Sequence, residues 1–245
     1  MATIASQTFL RQLKSIFPSP TLTTPDAVIA QPWYLVAAVA FSASRKPEAV
    51  PVVYEFALNE LRLVQTAEPP ERAHEQQMRL TSKVREAILQ SGLLSGFPRV
   101  IESLIALQKV TPENLRSTQV LRNSTQTVEQ YAKDGEKLFR SMYRETADPV
   151  QSLLDSAYLD LGWWCNTVGY GITYGGTDVL TQVETTYAIV AALIAVDAPR
   201  QVGWHLANAQ HGGATREEAK AVREIAMKVA EQAGVKWQDG VPDVE

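Results

Sequence analysis

The chain offers few groups able to move a proton or hold a metal: three histidines, His74, His205 and His211, and one thiol, Cys165. No His-Glu-x-x-His or other close ligand spacing occurs, so neither a metal site nor a cofactor is expected. His205 stands three residues after Val202 and four before Ala209, on the apolar face of a helical pattern. Desolvation there lowers an imidazole's proton affinity unless an acid compensates. Two readings are open: a hydrogen-bonded core histidine, or an acid–base group. Glu184 also has two. It lies three residues after Thr181, where a capping-box glutamate belongs, and it shares a helix face with Ala188, Ala191 and Ala195. Such small residues let a second helix approach, so a glutamate at that seam could reach the histidine of the next helix. Acid beside imidazole is a workable proton-transfer pair. His211, next to Gly212-Gly213, is expected to cap its helix. His74, in the charged run from Glu71 to Gln77, is expected in solvent.

From Leu161 the chain runs Gly-Trp-Trp-Cys-Asn-Thr-Val-Gly-Tyr-Gly-Ile-Thr-Tyr-Gly-Gly. Aromatic rings with polar tips beside permissive glycines line a cleft or fill a tight corner between helices. On the cleft reading Trp163, Trp164, Tyr170 and Tyr174 wall a substrate pocket, Asn166 orients a carbonyl or carboxylate, and Trp204 joins them.

The elements positioning these residues read as helices. Thr24-Pro25, Thr111-Pro112-Glu113 and Asp148-Pro149 look like capped helix starts. Thr181 to Glu184 and Thr215 to Glu218 look like capping boxes. Apolar residues recur at helical spacing after Glu184, Pro199 and Thr215, and upstream over 52–63, 79–94 and 97–107. Paired β-branched strands are missing, so the expected fold is all-α in a single domain over 1–245. With 45% hydrophobic and 20% charged residues, the 245-residue chain can fill a core. A net charge of −4 offers no footprint for nucleic acid. The apolar run Trp33 to Ser42 is too short to span a bilayer. One cysteine excludes an internal disulfide. The chain is therefore expected inside the cell. Its last three residues, Asp-Val-Glu, match no peroxisomal signal, which points to the cytoplasm. Arg11, Lys14, Phe9 and Phe17, with no acid before Asp26, keep a mitochondrial presequence as the alternative to a docked N-terminal helix.

A faint repeat is also present. Residues 83–99 align with 184–200 at an offset of 101, matching Ala87 with Ala188, Ile88 with Ile189 and Pro98-Arg99 with Pro199-Arg200. Each copy then enters another helix and meets a threonine start, at Thr111 and Thr215. The halves would span about 30–146 and 147–236, and the offset puts Leu104 where the second half has His205.

The segment Glu184 to Gly213, continuing through Thr215-Arg-Glu-Glu218, resembles the carboxymuconolactone decarboxylase and alkylhydroperoxidase D-like superfamily. The matching features are a glutamate-opened helix, then His205, Ala209, Gly213 and a Thr-x-x-Glu start. Pro32 to Pro51, Gly96 to Arg99 and Asp160 to Trp164 are similar to its long fungal members. The resemblance implies an all-helical AhpD-like fold and homo-oligomers, dimers or trimers, built by packing these helices. The Cys-x-x-Cys pair of the peroxidase branch would fall on Ala198 and Gln201, so thiol peroxide chemistry is not expected. The decarboxylase branch implies Glu184 and His205 as the proton-handling pair.

The resulting expectation is a cofactor-independent lyase or isomerase acting on a small or aromatic carboxylated metabolite. His205 would be its general acid/base, and Glu184 would set the imidazole tautomer. Neither nucleic acid nor membrane is an expected partner. The alternative is a non-catalytic helical scaffold or binding protein of the same fold.

Overall fold

The computed structural model describes residues 4–18 and 23–245, and among these residues no strand occurs. The fold is all-α. Its centre is a pair of helices apolar on every side, as full burial requires. Every residue of α3 (Trp33–Ala43) is buried, and α10 (Gln182–Ala195) is buried from Glu184 onward. These two pack on each other and on α5 (Pro70–Ser95) and α12 (Arg216–Gln232). The stretch Pro25–Ala43 has the length and hydropathy of a membrane span, yet 83% of its apolar window is buried in the fold. Pro32 divides it into α2 (Pro25–Ala30) and α3. Around the centre lie α1 (Gln7–Ile16), α4 (Ala49–Val64), α6 (Phe97–Val110), α7 (Val128–Tyr143), α8 (Ala147–Ala157), α9 (Leu159–Trp164) and α11 (Pro199–His211). The N-terminal segment is a docked helix: Ser6 caps α1, which buries Leu10 and Leu13.

Thr24, Thr181 and Thr215 cap their helices as the sequence suggests, the last two in complete capping boxes. Two other starts differ. Thr111 caps no helix: its hydroxyl donates back to Leu107 O at 2.8 Å, and only a 3-10 turn, Glu113–Leu115, follows. Asp148 sits inside α8, which begins at Ala147 after another 3-10 turn, Arg144–Thr146. The helix expected from residue 79 begins at Pro70, placing His74 on an exposed turn of α5.

The aromatic and glycine-rich stretch is helical after all, but wider. Past α9 the chain continues as a π-helix, Cys165–Tyr174, whose end is marked by Gly175 N donating to Tyr170 O at 2.9 Å. Glycine is needed here for approach rather than for φ. A Cβ on Gly135 of α7 would lie 1.9 Å from Asn166 O, and one on Gly171 would lie 2.2 Å from Tyr131 O. Backbone thus meets backbone between α7 and the π-helix, which is the tight-corner arrangement.

At the offset of 101 residues, α6 lies opposite α11 in sequence. The turns entering them both need a positive φ, +95° at Gly96 and +58° at Asp197. The third expected element is not shared: Thr215 opens the 17-residue α12, whereas Thr111 leads only to the 3-10 turn.

Candidate functional site

Glu184 and His205 are each buried, but in different company. The first turn of α10 holds Glu184, whose Oε2 accepts from Thr181 N at 3.0 Å. Its Oε1 accepts from Lys83 Nζ on α5, and both side chains are shut away from solvent. Lys83 and Glu184 are the two positions that the 101-residue offset equates. The pair sits at a cavity of about 320 Å³ also lined by Arg79, Tyr187 and Glu218. Both carboxylate oxygens are therefore engaged elsewhere, and the expected Glu184–His205 pair is not formed. The reason is electrostatic: a buried carboxylate stays with a buried ammonium, because separating them leaves two unmatched charges.

His205, in mid-α11, meets neutral partners instead. Tyr143, the last residue of α7, brings its hydroxyl to 3.3 Å from Nε2. One turn on in α11, the Asn208 amide lies 3.4 Å from Nδ1. Oriented with its nitrogen on Met142 O (3.0 Å) and Trp204 O (3.1 Å), that amide turns its oxygen to the imidazole. The arrangement sets the tautomer: Nδ1–H donates to Asn208, and Nε2 accepts from Tyr143. Asn208, rather than Glu184, is the orienting residue. Burial without a countercharge pushes the His205 pKa down to about 3, so the ring is neutral at physiological pH.

An aromatic shell encloses the pair. The Tyr143 ring lies 4.5 Å from Phe139, 6.2 Å from Tyr170 and 6.4 Å from Trp204, and Tyr174 follows 5.4 Å from Tyr170. Burial raises the Tyr143 hydroxyl to about 12 and the Cys165 thiol to about 11. Cys165 is thereby held as a thiol, the opposite of an activated nucleophile.

Of the expected pocket walls, Tyr170 and Tyr174 are buried in this shell, and Tyr174 also lines a cavity of about 370 Å³ beside α7. Trp204 is half-buried and lines a larger cavity of about 530 Å³, together with Asn208, His211 and the acids Glu145, Asp243 and Glu245. Trp204 and Asn208 touch the His205–Tyr143 pair on one side and the cavity on the other, so they form the wall between. Trp163 and Trp164 line none of these cavities: both project from α9 with about half their surface in solvent, 52% and 51%. A six-residue helix packed through Gly162 buries only one side, and both rings fall outside it. Asn166 is tied to Gln151 Oε1 at 2.8 Å, with its own side-chain oxygen buried and unpartnered. His211 differs from its expected capping role in detail, its Nδ1 meeting Met142 O of α7 at 2.8 Å.

Reading the sequence missed Tyr143, Asn208 and Lys83. Asn208 lies three residues from His205, a spacing that marks a helical neighbour. Lys83 was marked by the repeat offset. Tyr143 had no local signal, being 62 residues from its partner.

No family model matches the chain. Two curated proteins do. The chain is 27% identical, in an alignment of 257 residues, to Peroxisomal protein 2 of Saccharomyces cerevisiae, covering 85% of this chain and 91% of that protein. It is 26% identical over 208 residues to Peroxisomal protein 2 of Schizosaccharomyces pombe, covering 85% and 90%.

Proposed function

We propose that this chain is a cofactor-independent lyase or isomerase of the carboxymuconolactone decarboxylase-like kind, with His205 and Tyr143 as its proton-handling pair. The observation that carries the reading is a buried neutral imidazole whose Nε2 faces a buried phenol, one side chain away from a cavity. With the Trp204 ring swung aside so that the cavity opens onto Tyr143, the substrate's C–H proton passes to the Tyr143 oxygen as the phenol's own proton moves to Nε2. The electron pair left on carbon is taken up by the adjacent carbonyl, and the reverse transfer protonates the product carbon. Charging an imidazole whose pKa is about 3 at pH 7 costs about 5 kcal/mol. That fits as a transient within the roughly 16 kcal/mol barrier of an ordinary enzyme turnover. Asn208 oxygen steadies the imidazolium while it lasts. The acids at the cavity mouth oppose a carboxylate, so the substrate presents its neutral end, a lactone carbonyl or an aromatic ring, toward Trp204. Glu184 takes no direct part; with Lys83 it supports the seam between α5 and α10.

The equal offset of the Lys83–Glu184 pair, together with the shared positive φ at Gly96 and Asp197, supports an internal duplication of the AhpD-like kind. The names of the two relatives support a peroxisomal place of action over the cytoplasmic one expected from the sequence. A fluorescently tagged chain that stays diffuse beside a peroxisomal marker would refute that placement.

A second reading, a non-catalytic scaffold, is favoured by one observation: both ring nitrogens of His205 are already partnered. A thermal-shift screen of small lactones and aromatic acids separates the two. Ligand at a hundred times its dissociation constant adds about 3 kcal/mol of stability. The catalytic reading expects a hit that Trp204→Ala weakens and that is turned over by wild type but not by Tyr143→Phe or His205→Gln. Turnover unchanged in both variants would sink it.

A further inference from the structure

Two apolar faces of the molecule are left bare, and they carry opposite charge at their rims. The first, on α8 and α9, exposes Leu153, Tyr158, Leu159, Leu161, Trp163 and Trp164, with Leu159 74% and Tyr158 64% open. Rings and branched chains of this size leave on the order of 100 Å² each when half open. Together they match or exceed the largest apolar patch of a typical soluble monomer. Asp155 and Asp160 stand on these helices, Asp148 being paired with Arg140 of α7, and from Glu145 to Pro199 the chain has no lysine or arginine.

The second face is on α6. Phe97, Ile101 and Ile105 recur every four residues, so they form one stripe, and each is about half exposed. Arg99 and Lys109 stand on the same helix, and Arg85 and Arg116 reach its C-terminal end, both bonding Gln108. Glu102 and Glu113 leave this rim net basic. The contrast with the second half of the chain explains the bare stripe. At the offset of 101 residues Ile101 and Ile105 correspond to Val202 and Leu206, which are buried where α11 meets α12 and the C-terminal tail. After α6 the chain makes the Glu113–Leu115 turn where the second half has α12, and among the described residues no helix covers the stripe.

We propose that the α6 stripe of one copy of this chain docks on the α8–α9 face of a second copy. The occupant is chosen by charge. Pairing α8–α9 with itself sets aspartates against aspartates, and an anionic lipid surface is repelled by the same residues, whereas the α6 rim supplies the matching cations. The buried core of the contact is Trp163 and Trp164 against Ile101 and Ile105, the aromatic and aliphatic pairing that carries most interface energy. The contact joins two different patches, so it closes either as a two-fold dimer making it twice or as a ring making it once per neighbour.

Sedimentation of the full chain across a concentration series tests this. Wild type associates, and Trp163→Ser/Trp164→Ser and Ile101→Glu/Ile105→Glu each weaken association at least about tenfold. All four sites are about half exposed, and circular dichroism checks that both double variants keep their helix content. Asp160→Lys, on an exposed position, weakens association with a smaller salt dependence than wild type. The decisive arm mixes the two double variants: each keeps one sound face, so together they form a one-to-one complex that neither forms alone. A wild type that stays monomeric, or variants that do not complement, would overturn the proposal. So would Trp163- and Trp164-dependent flotation with phosphatidylcholine vesicles that Ile101→Glu/Ile105→Glu leaves intact, which would reassign the face to lipid.

Discussion

The seam between α5 and α10 and the cluster between α7 and α11 bury polar groups in opposite ways. At the seam Glu184 is matched by a basic group, Lys83, buried with it. In the cluster His205 gives up its charge, because Tyr143 and Asn208 supply hydrogen bonds but no countercharge. A pair of charges inside a protein is stable only as a pair. A neutral network stays satisfied at neutral pH and is ready to accept a proton at a cost. The first arrangement suits architecture, and the second suits either architecture or chemistry.

Breaking the seam should have the largest effect. Glu184→Ala strands Lys83 and removes the α10 capping box, and a loss of about 3–5 kcal/mol in denaturant unfolding is expected. Lys83→Met with Glu184→Gln restores neutrality and keeps a capping side chain, so the double variant should recover most of that loss. A double variant as unstable as the single would show that the pair is not the source.

The cluster should respond to acid through His205. The folded pKa of His205, about 3, lies below the ordinary 6.5, so the unfolded chain binds more protons between those values. Stability contributed by the neutral imidazole is therefore present above pH 6.5 and drains away as pH falls toward 3. From pH 6.5 to 5 the loss is about 2 kcal/mol. His205→Leu, which copies Leu104 of the first half, should erase that part of the pH profile. At pH 7 it should cost about 1–3 kcal/mol by leaving Tyr143 and Asn208 without their partner. An unaltered profile in the variant would assign the acid sensitivity to other groups. Tyr143→Phe should have the smallest effect, about 1 kcal/mol, because the ring and its aromatic contacts remain and only one hydrogen bond is lost.

Much of this was legible in one dimension. Helices declare themselves through local devices, namely threonine caps, i to i+4 apolar spacing and terminal glycines, and those of α10, α11 and α12 lie where their patterns put them. The burial of His205 follows from its place between Val202 and Ala209. Where local reading failed, a side chain had a second use. Thr111 bonds backward to Leu107, and the turn that follows starts after Pro112 without a side-chain cap. The run around Trp163 and Tyr170 mixes residues facing solvent with residues facing the core, and only the position of α7 sorts them.

The sequence by itself determined that the chain is helical, that Glu184 caps a helix and that His205 faces inward. These properties depend on neighbours within a turn. Tertiary structure decided which partners the two groups meet, since Lys83 lies 101 residues and Tyr143 62 residues away. It also decided that Trp163 and Trp164 face outward, because α9 packs on α8 through Gly162 and leaves both rings outside that contact. Charge state follows the partner, and the partner is chosen by packing across the whole chain.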